Sequence, residues 1–104
     1  MRAIVLQVKQ ATTVVDKAIG LIGQKPYPLL LKTRWGIHTF GMKEPIDILI
    51  LDRNTIVRQL KVNLAPNRFF WWNPLFATVV ELPKGTINTQ RITIGSAIRL
   101  KFLV

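Results

Sequence analysis

The stretch Ile46-Asp47-Ile48-Leu49-Ile50-Leu51-Asp52-Arg53-Asn54-Thr55-Ile56-Val57-Arg58-Gln59-Leu60-Lys61-Val62 carries the clearest structural signal in the sequence. Two runs rich in branched aliphatic residues flank a short polar triplet, which is the pattern of a β-hairpin. Ile46 to Leu51 reads as one strand and Thr55 to Val62 as its partner. The turn falls on Asp52-Arg53-Asn54, where Asn54 is suited to the left-handed conformation that a tight turn requires. Arg58 and Lys61 interrupt the second run, so that strand is expected to have at least one wet face.

Working outward, short strands recur on both sides. Ala3 to Lys9 alternates, with Ile4, Leu6 and Val8 on one side. Val14, Val15, Ala18, Ile19 and Ile22 repeat at helical spacing. Thr13 and Asp16 resemble a capping box and Gly23 is a stop, which predicts a helix over residues 13–23. Leu29 to Lys32 reads as a short strand, and Ile37 to Met42 as a less regular one bent at Gly36 and Gly41. Residues 63–76 read as a loop. Ala77 to Leu82 is a further strand, Pro83-Lys84-Gly85 a turn, and Thr86 to Gln90 a single helical turn. After Ile94-Gly95-Ser96 the last strand sets Ile98, Leu100 and Phe102 against Arg99 and Lys101. The expectation is a mainly β chain: a small β-sandwich or barrel-like domain with one short α-helix near the N-terminus.

The 104 residues suit a single domain over 1–104, and 49% hydrophobic content is enough for a core. No apolar run approaches the roughly 20 residues of a spanning helix. The stretch Met1 to Lys9 turns polar too early for a signal-peptide core, so an untargeted, cytoplasmic chain is expected. Cysteine is absent, which excludes disulfides and thiolate chemistry. Fifteen basic residues against five acidic give a net charge of +10. Such an excess favours an anionic partner, nucleic acid or a lipid headgroup, and otherwise serves solubility.

His38-Thr39-Phe40-Gly41-Met42-Lys43, followed by Pro45-Ile46-Asp47 and the strand ending in Leu51-Asp52, resembles the signature of the family catalogued as domain of unknown function 192. Gly20-Leu21-Ile22-Gly23 is similar to that family's helix end. Val80-Glu81-Leu82-Pro83 with Gly85-Thr86 resembles its Leu-Glu-Leu-Pro-x-Gly-Thr segment, and Ile94-Gly95 the start of its closing Gly-Asp turn. The matches keep their order from about residue 12 to residue 102. Two positions depart: Ser96 stands in the Asp slot, and Glu44 in a slot usually apolar or aromatic. A functional Asp ligand would be missing here, whereas an Asp that only caps a turn is replaced by Ser with little change. The resemblance implies a mainly β, sandwich-like fold with a short helix, and no established activity.

Two clusters are candidates for function. The first is a pocket of His38, Thr39, Met42, Lys43 and Asp47, in which His38 would act as a base oriented by a carboxylate. A nucleophile is missing, since Ser96 is the sole serine and no Gly-x-Ser-x-Gly elbow surrounds it, so no residue is assigned as catalytic. One His, no Cys and five scattered acids leave the usual metal ligand sets unfilled, and His38 with Met42 would offer a soft ion two ligands at most. No glycine spacing fits a nucleotide loop, and no cofactor is expected. The structural alternative makes His38 a donor to a backbone carbonyl, Met42 a core filler, and Asp47 an acceptor from the bend before the hairpin.

The second cluster is Arg68-Phe69-Phe70-Trp71-Trp72. Successive side chains of an extended segment alternate faces, so four aromatics in a row cannot all enter one core. Those left outside would stack unpaired bases, enter a lipid interface, or bury against a protein partner or a second copy of this chain. Otherwise the segment is a lid over the sheet edge. Trp35 is a candidate for the same surface. The favoured reading is a non-enzymatic binding or accessory domain. The alternatives are a nucleic-acid binder that uses the charge and the aromatic loop, and a ligand or catalytic pocket at His38, Met42 and Asp47.

Overall fold

The computed structural model describes residues 3–10 and 28–103. In chain order the strands are β1 (Ala3–Gln10), β2 (Leu29–Lys32), β3 (Ile37–His38) and β4 (Ile46–Leu51). They are followed by β5 (Val57–Leu64), β6 (Phe69–Phe70), β7 (Thr78–Pro83), the helix α1 (Thr86–Gln90) and β8 (Ala97–Phe102). Six strands form one sheet in the order β5-β4-β7-β2-β1-β8, and β3 pairs with β6 as a separate ribbon. The expected mainly β class holds. The helix among the described residues lies in the C-terminal half at Thr86–Gln90, not near the N-terminus, and the helix expected over 13–23 falls outside the described residues.

The hairpin is antiparallel β4–β5, and β4 also pairs antiparallel with β7. β1 is parallel to both of its neighbours, β2 and β8. The two outermost strands of this order touch: Ile56 bridges Ala97, and Val57, Gly95 and Ile98 exchange backbone hydrogen bonds with Ser96, Val57 and Thr55 at 2.8–3.0 Å. The sheet is therefore a curled half-barrel, pinned at one corner, rather than two facing layers of a sandwich.

The curl gives the sheet two unequal faces. Residues from all six strands meet on its inside, among them Leu6, Leu30, Leu49, Val57, Val80 and Ile98, joined by Ile87 of α1. The outer face carries Leu29, Leu31, Ile46, Ile48, Ile50 and Val79, over which Trp72, Phe70 and Phe76 pack. Both faces are thus buried, which accounts for a β4 that is apolar at every position except Asp47 and buried throughout.

The hairpin turn differs from its expected form. Thr55, not Asn54, carries the positive φ, at 59°. The Asp52 carboxylate accepts hydrogen bonds from the Asn54 N–H at 2.8 Å and the Ile56 N–H at 3.1 Å, closing the turn around its own side chain. Ile56 is then taken by the bridge to Ala97, so β5 starts at Val57 instead of Thr55.

Candidate functional site

Asp47 is fully buried on the inner face of β4. The β4–β5 ladder shifts register between Ile46 and Ile48, and Asn63 across from it has a left-handed φ of 55°. At such a bulge a backbone donor loses its ladder partner. The Asp47 carboxylate replaces it, accepting from the Asn63 N–H at 3.0 Å. Its other oxygen accepts from the Ile87 N–H at 2.9 Å, in the first turn of α1. The N-cap of that helix is Gly85, which has no side chain to offer, so Asp47 caps the helix from another element. The donors are Asn63 and Ile87, not the bend before the hairpin.

The other members of the first cluster lie elsewhere. Thr39 is fully buried, and its hydroxyl donates to the Ala65 carbonyl at 2.6 Å and accepts from the Arg68 N–H at 3.0 Å. It ties the segment after β3 to the one before β6. Met42 packs on the outer-face cluster with Ile37 and Phe70, on the side of the sheet opposite Asp47. His38 and Lys43 are exposed, and His38 Nδ1 accepts from the Phe40 N–H at 3.2 Å instead of donating to a carbonyl. The five residues therefore do not converge on one cavity. Among the described residues no three His, Asp or Glu side chains stand close enough to hold a metal ion.

The aromatic segment is the reverse case: its members assemble. In the ribbon, Ile37 pairs with Phe70 and His38 with Phe69. Phe70 and Trp72 turn inward with ring centroids 5.9 Å apart, and the Trp72 indole N–H donates to the Phe76 carbonyl at 2.7 Å. Phe69 and Trp71 turn outward and stack at 5.3 Å with 20° between their planes. Phe40 meets Phe69 edge-on at 4.9 Å, and His38 lies 5.3 Å from Phe40. Four rings thus form a continuous row on the outer face of the ribbon. Trp71 is 64% exposed and Phe69 56%, against 8% for Trp72. Trp35, which precedes Gly36 and makes no ring contact with the row among the described residues, is 84% exposed, and Arg68 is exposed with its guanidinium on the Asn67 carbonyl. The row can stack on a planar or apolar partner.

Phe40 was absent from the residues expected on this surface. Its position two residues from His38, across the buried Thr39, was the available signal. Glu81 was also missed as a chemical group. It lies on the outer face between its cross-strand neighbours Leu29 and Ile48, 3% exposed, and its Oε2 atom has no hydrogen-bond partner among the described residues. Burial pushes its carboxyl up to about 7. Asp52 goes the other way. Burial raises its carboxyl, but hydrogen bonds from the Ile56 N–H, Arg58 and the Asn54 N–H outweigh this and hold it below the ordinary value. Ser96 caps its turn: its hydroxyl accepts from the Thr93 N–H at 2.9 Å, which is the task an Asp would perform there.

No helix among the described residues is long and apolar enough to cross a membrane. No protein-family model matches the sequence. Over 100 residues the chain is 28% identical to the UPF0127 protein of Pyrococcus horikoshii, with 89% of this chain and 86% of that protein covered. Two solved structures share its architecture. One is a protein of unknown function from Novosphingobium aromaticivorans, with a TM-score of 0.73 and 17% identity over 85% of this chain and 70% of the other. The second is a proposed transcription regulator from Sinorhizobium meliloti, with a TM-score of 0.69 and 17% identity over 85% of this chain and 76% of the other. The curled sheet is thus a fold found in solved proteins, and the chain is a distant relative of an uncharacterised conserved protein, UPF0127.

Proposed function

We propose that this chain is a non-enzymatic binding domain, of the kind catalogued as domain of unknown function 192, which takes its partner on the outer face of the β3–β6 ribbon. The observation that carries this reading is the outward row His38, Phe40, Phe69 and Trp71. Exposed aromatics scattered singly need no explanation, but four in mutual contact on a hydrogen-bonded ribbon form a preorganised apolar surface. Thr39, Met42 and Asp47 serve the scaffold beneath it.

A second reading makes the partner a single-stranded nucleic acid. Bases stack on aromatic rings, and a net charge of +10 with Arg68 beside Phe69 suits a phosphate backbone. The likeness to a proposed transcription regulator points the same way but rests on fold alone.

Tryptophan fluorescence with acrylamide as quencher tests both readings. The chain and its Trp71→Ala variant are titrated with a 20-nucleotide oligo-dT and with phosphatidylglycerol vesicles, at low and high salt, while sedimentation reports self-association. Shielding of Trp71 by oligo-dT, lost steeply with salt, supports the nucleic-acid reading. Self-association that shields Trp71 and is lost in the Trp71→Ala variant supports a protein contact, and shielding by vesicles alone supports a lipid one. An accessible Trp71 that no additive shields, in a chain that stays monomeric, overturns the ribbon as a binding surface for these partners.

A further inference from the structure

Around the ribbon, large apolar side chains stand outside the fold on turns. Phe40 is at the tip of the Thr39–Met42 turn, which the Met42 N–H closes on the Thr39 carbonyl at 3.2 Å. Leu75 is at the tip of a later turn, closed from the Phe76 N–H to the Asn73 carbonyl at 3.0 Å, and it is 76% exposed. Trp35 occupies the bend between β2 and β3. Its neighbours on both sides touch the segment that follows β6. The Arg34 guanidinium donates to the Pro74 and Leu75 carbonyls at 2.6 and 3.1 Å, and Gly36 abuts the Trp71 ring. The loops that carry Trp35 and Leu75 are thus held side by side, at the end of the row marked by Trp71.

Charge and shape select among partners. Phe69 and Trp71 stack on each other at 5.3 Å, too close for a base to enter between them, and Phe40 closes edge-on against Phe69. A second copy of the chain would bring another +10 against the first. Side chains standing singly on separate turns give a rigid partner little continuous area, whereas a fluid bilayer moulds around each of them. The cations of the same segments are Arg34, Lys43 and Arg68, all exposed. The acid next to Lys43, Glu44, is paired with Lys84 at 3.3 Å. Aromatic rings at the acyl boundary with cations at the headgroups are what an anionic lipid surface accommodates.

We infer that the ribbon and its turns dock on an anionic lipid surface. Trp35, Phe69, Trp71 and Leu75 enter the boundary between headgroups and acyl chains, and Arg34, Lys43 and Arg68 meet lipid phosphates. This rests on the ribbon being the binding face.

The test is flotation with phosphatidylcholine vesicles, with and without phosphatidylglycerol, and fluorescence with mixed vesicles whose phosphatidylcholine is brominated on its acyl chains. Saturable binding is expected only where phosphatidylglycerol is present. Brominated chains are expected to quench the parent protein and not the Trp35→Phe/Trp71→Phe variant, whose remaining tryptophan is the buried Trp72. Lys43→Gln and Arg68→Gln are each expected to weaken binding about fivefold, the factor one cation contributes near an anionic leaflet. Trp35→Ser is expected to weaken it without moving the thermal midpoint, because that ring lies outside the core. The inference is overturned by absent or non-saturable binding, by equal binding to phosphatidylcholine alone, by an unquenched parent protein, by quenching that persists in the double variant, or by indifference to all three single substitutions in folded protein. Shielding of Trp71 by oligo-dT or by self-association, without vesicle binding, overturns the lipid partner and leaves the ribbon as the binding face. Shielding by none of them removes both.

Discussion

A single carboxylate, Asp47, joins three elements, because it sits on β4 and satisfies a donor on β5 and another on α1. Removing it strands the buried Ile87 N–H, worth on the order of 1–3 kcal/mol when left unpaired, and the Asn63 N–H, which is only partly buried and can turn to water at less cost. Asp47→Ala is therefore expected to lower stability by about 1–3 kcal/mol. Asp47→Asn keeps one acceptor oxygen and is expected to lose less. Urea midpoints of the three proteins decide it, and an unchanged midpoint for the alanine variant would mean that the two hydrogen bonds contribute nothing.

Glu81 makes the opposite prediction. Its carboxyl has an ordinary value of 4.5 and is raised to about 7 in the folded chain. Below pH 4.5 both states hold the proton, and the stability linked to this group is fully present. As pH rises toward about 7 the unfolded chain releases a proton that the folded chain keeps, so stability falls, and above about 7 the loss is complete. Its size is on the order of 3 kcal/mol. Glu81→Gln is expected to flatten this part of the pH profile and to raise the urea midpoint at pH 8. A profile identical to that of the parent chain would show that the carboxyl titrates normally.

Among the elements, the ribbon is the one whose sequence gave least warning. Two-residue strands have no period to read, and β6 lies where a loop was expected because its pairing with β3 is set by tertiary packing. Alternation nevertheless foretold that Phe69 to Trp72 would divide between two faces. Gly36 stands immediately before β3, at the base of the ribbon. Its φ is +90°, and a Cβ there would stand 2.8 Å from both the Phe70 carbonyl oxygen and Trp71 Cδ1. The oxygen belongs to backbone and cannot swing aside. Gly36→Ala is expected to cost roughly 1–3 kcal/mol and to displace the Trp71 ring, seen as a changed quenching constant. Normal stability and quenching in that variant would mean that the contact is slack. The hairpin, by contrast, was legible: β4 has the expected bounds, and β5 runs two residues later at each end than the expected Thr55 to Val62. Its turn escaped, since the Asp52 side chain, not the intrinsic preference of Asn54, decides which residue adopts the left-handed φ.

At the scale of the molecule, the alternating runs disclosed strands but not their neighbours. Nothing in Ile4, Leu6 and Val8 says that β1 will lie between β2 and β8, or that Ile56 will reach Ala97 and curl the sheet. A net charge of +10 has a global consequence as well, for the folded state concentrates like charges that the unfolded chain spreads out. Raising KCl from about 10 mM to about 150 mM shortens the screening length from about 30 Å to about 8 Å and is expected to raise the urea midpoint. A flat or falling response would mean that repulsion is already offset by local pairing.

The parallel seam between β1 and β8 also sets an order of events. It runs through six residue pairs, from Ala3 opposite Ala97 to Val8 opposite Phe102, so one of the earliest strands to be synthesised is completed by one of the latest. Until Ala97–Phe102 leaves the ribosome, β1 has one flank of unsatisfied amides and carbonyls that any extended neighbour can occupy. Chaperone capture, or aggregation of chains arrested before that point, is where this architecture is most exposed, and the vulnerable interval ends when β8 slides in beside it.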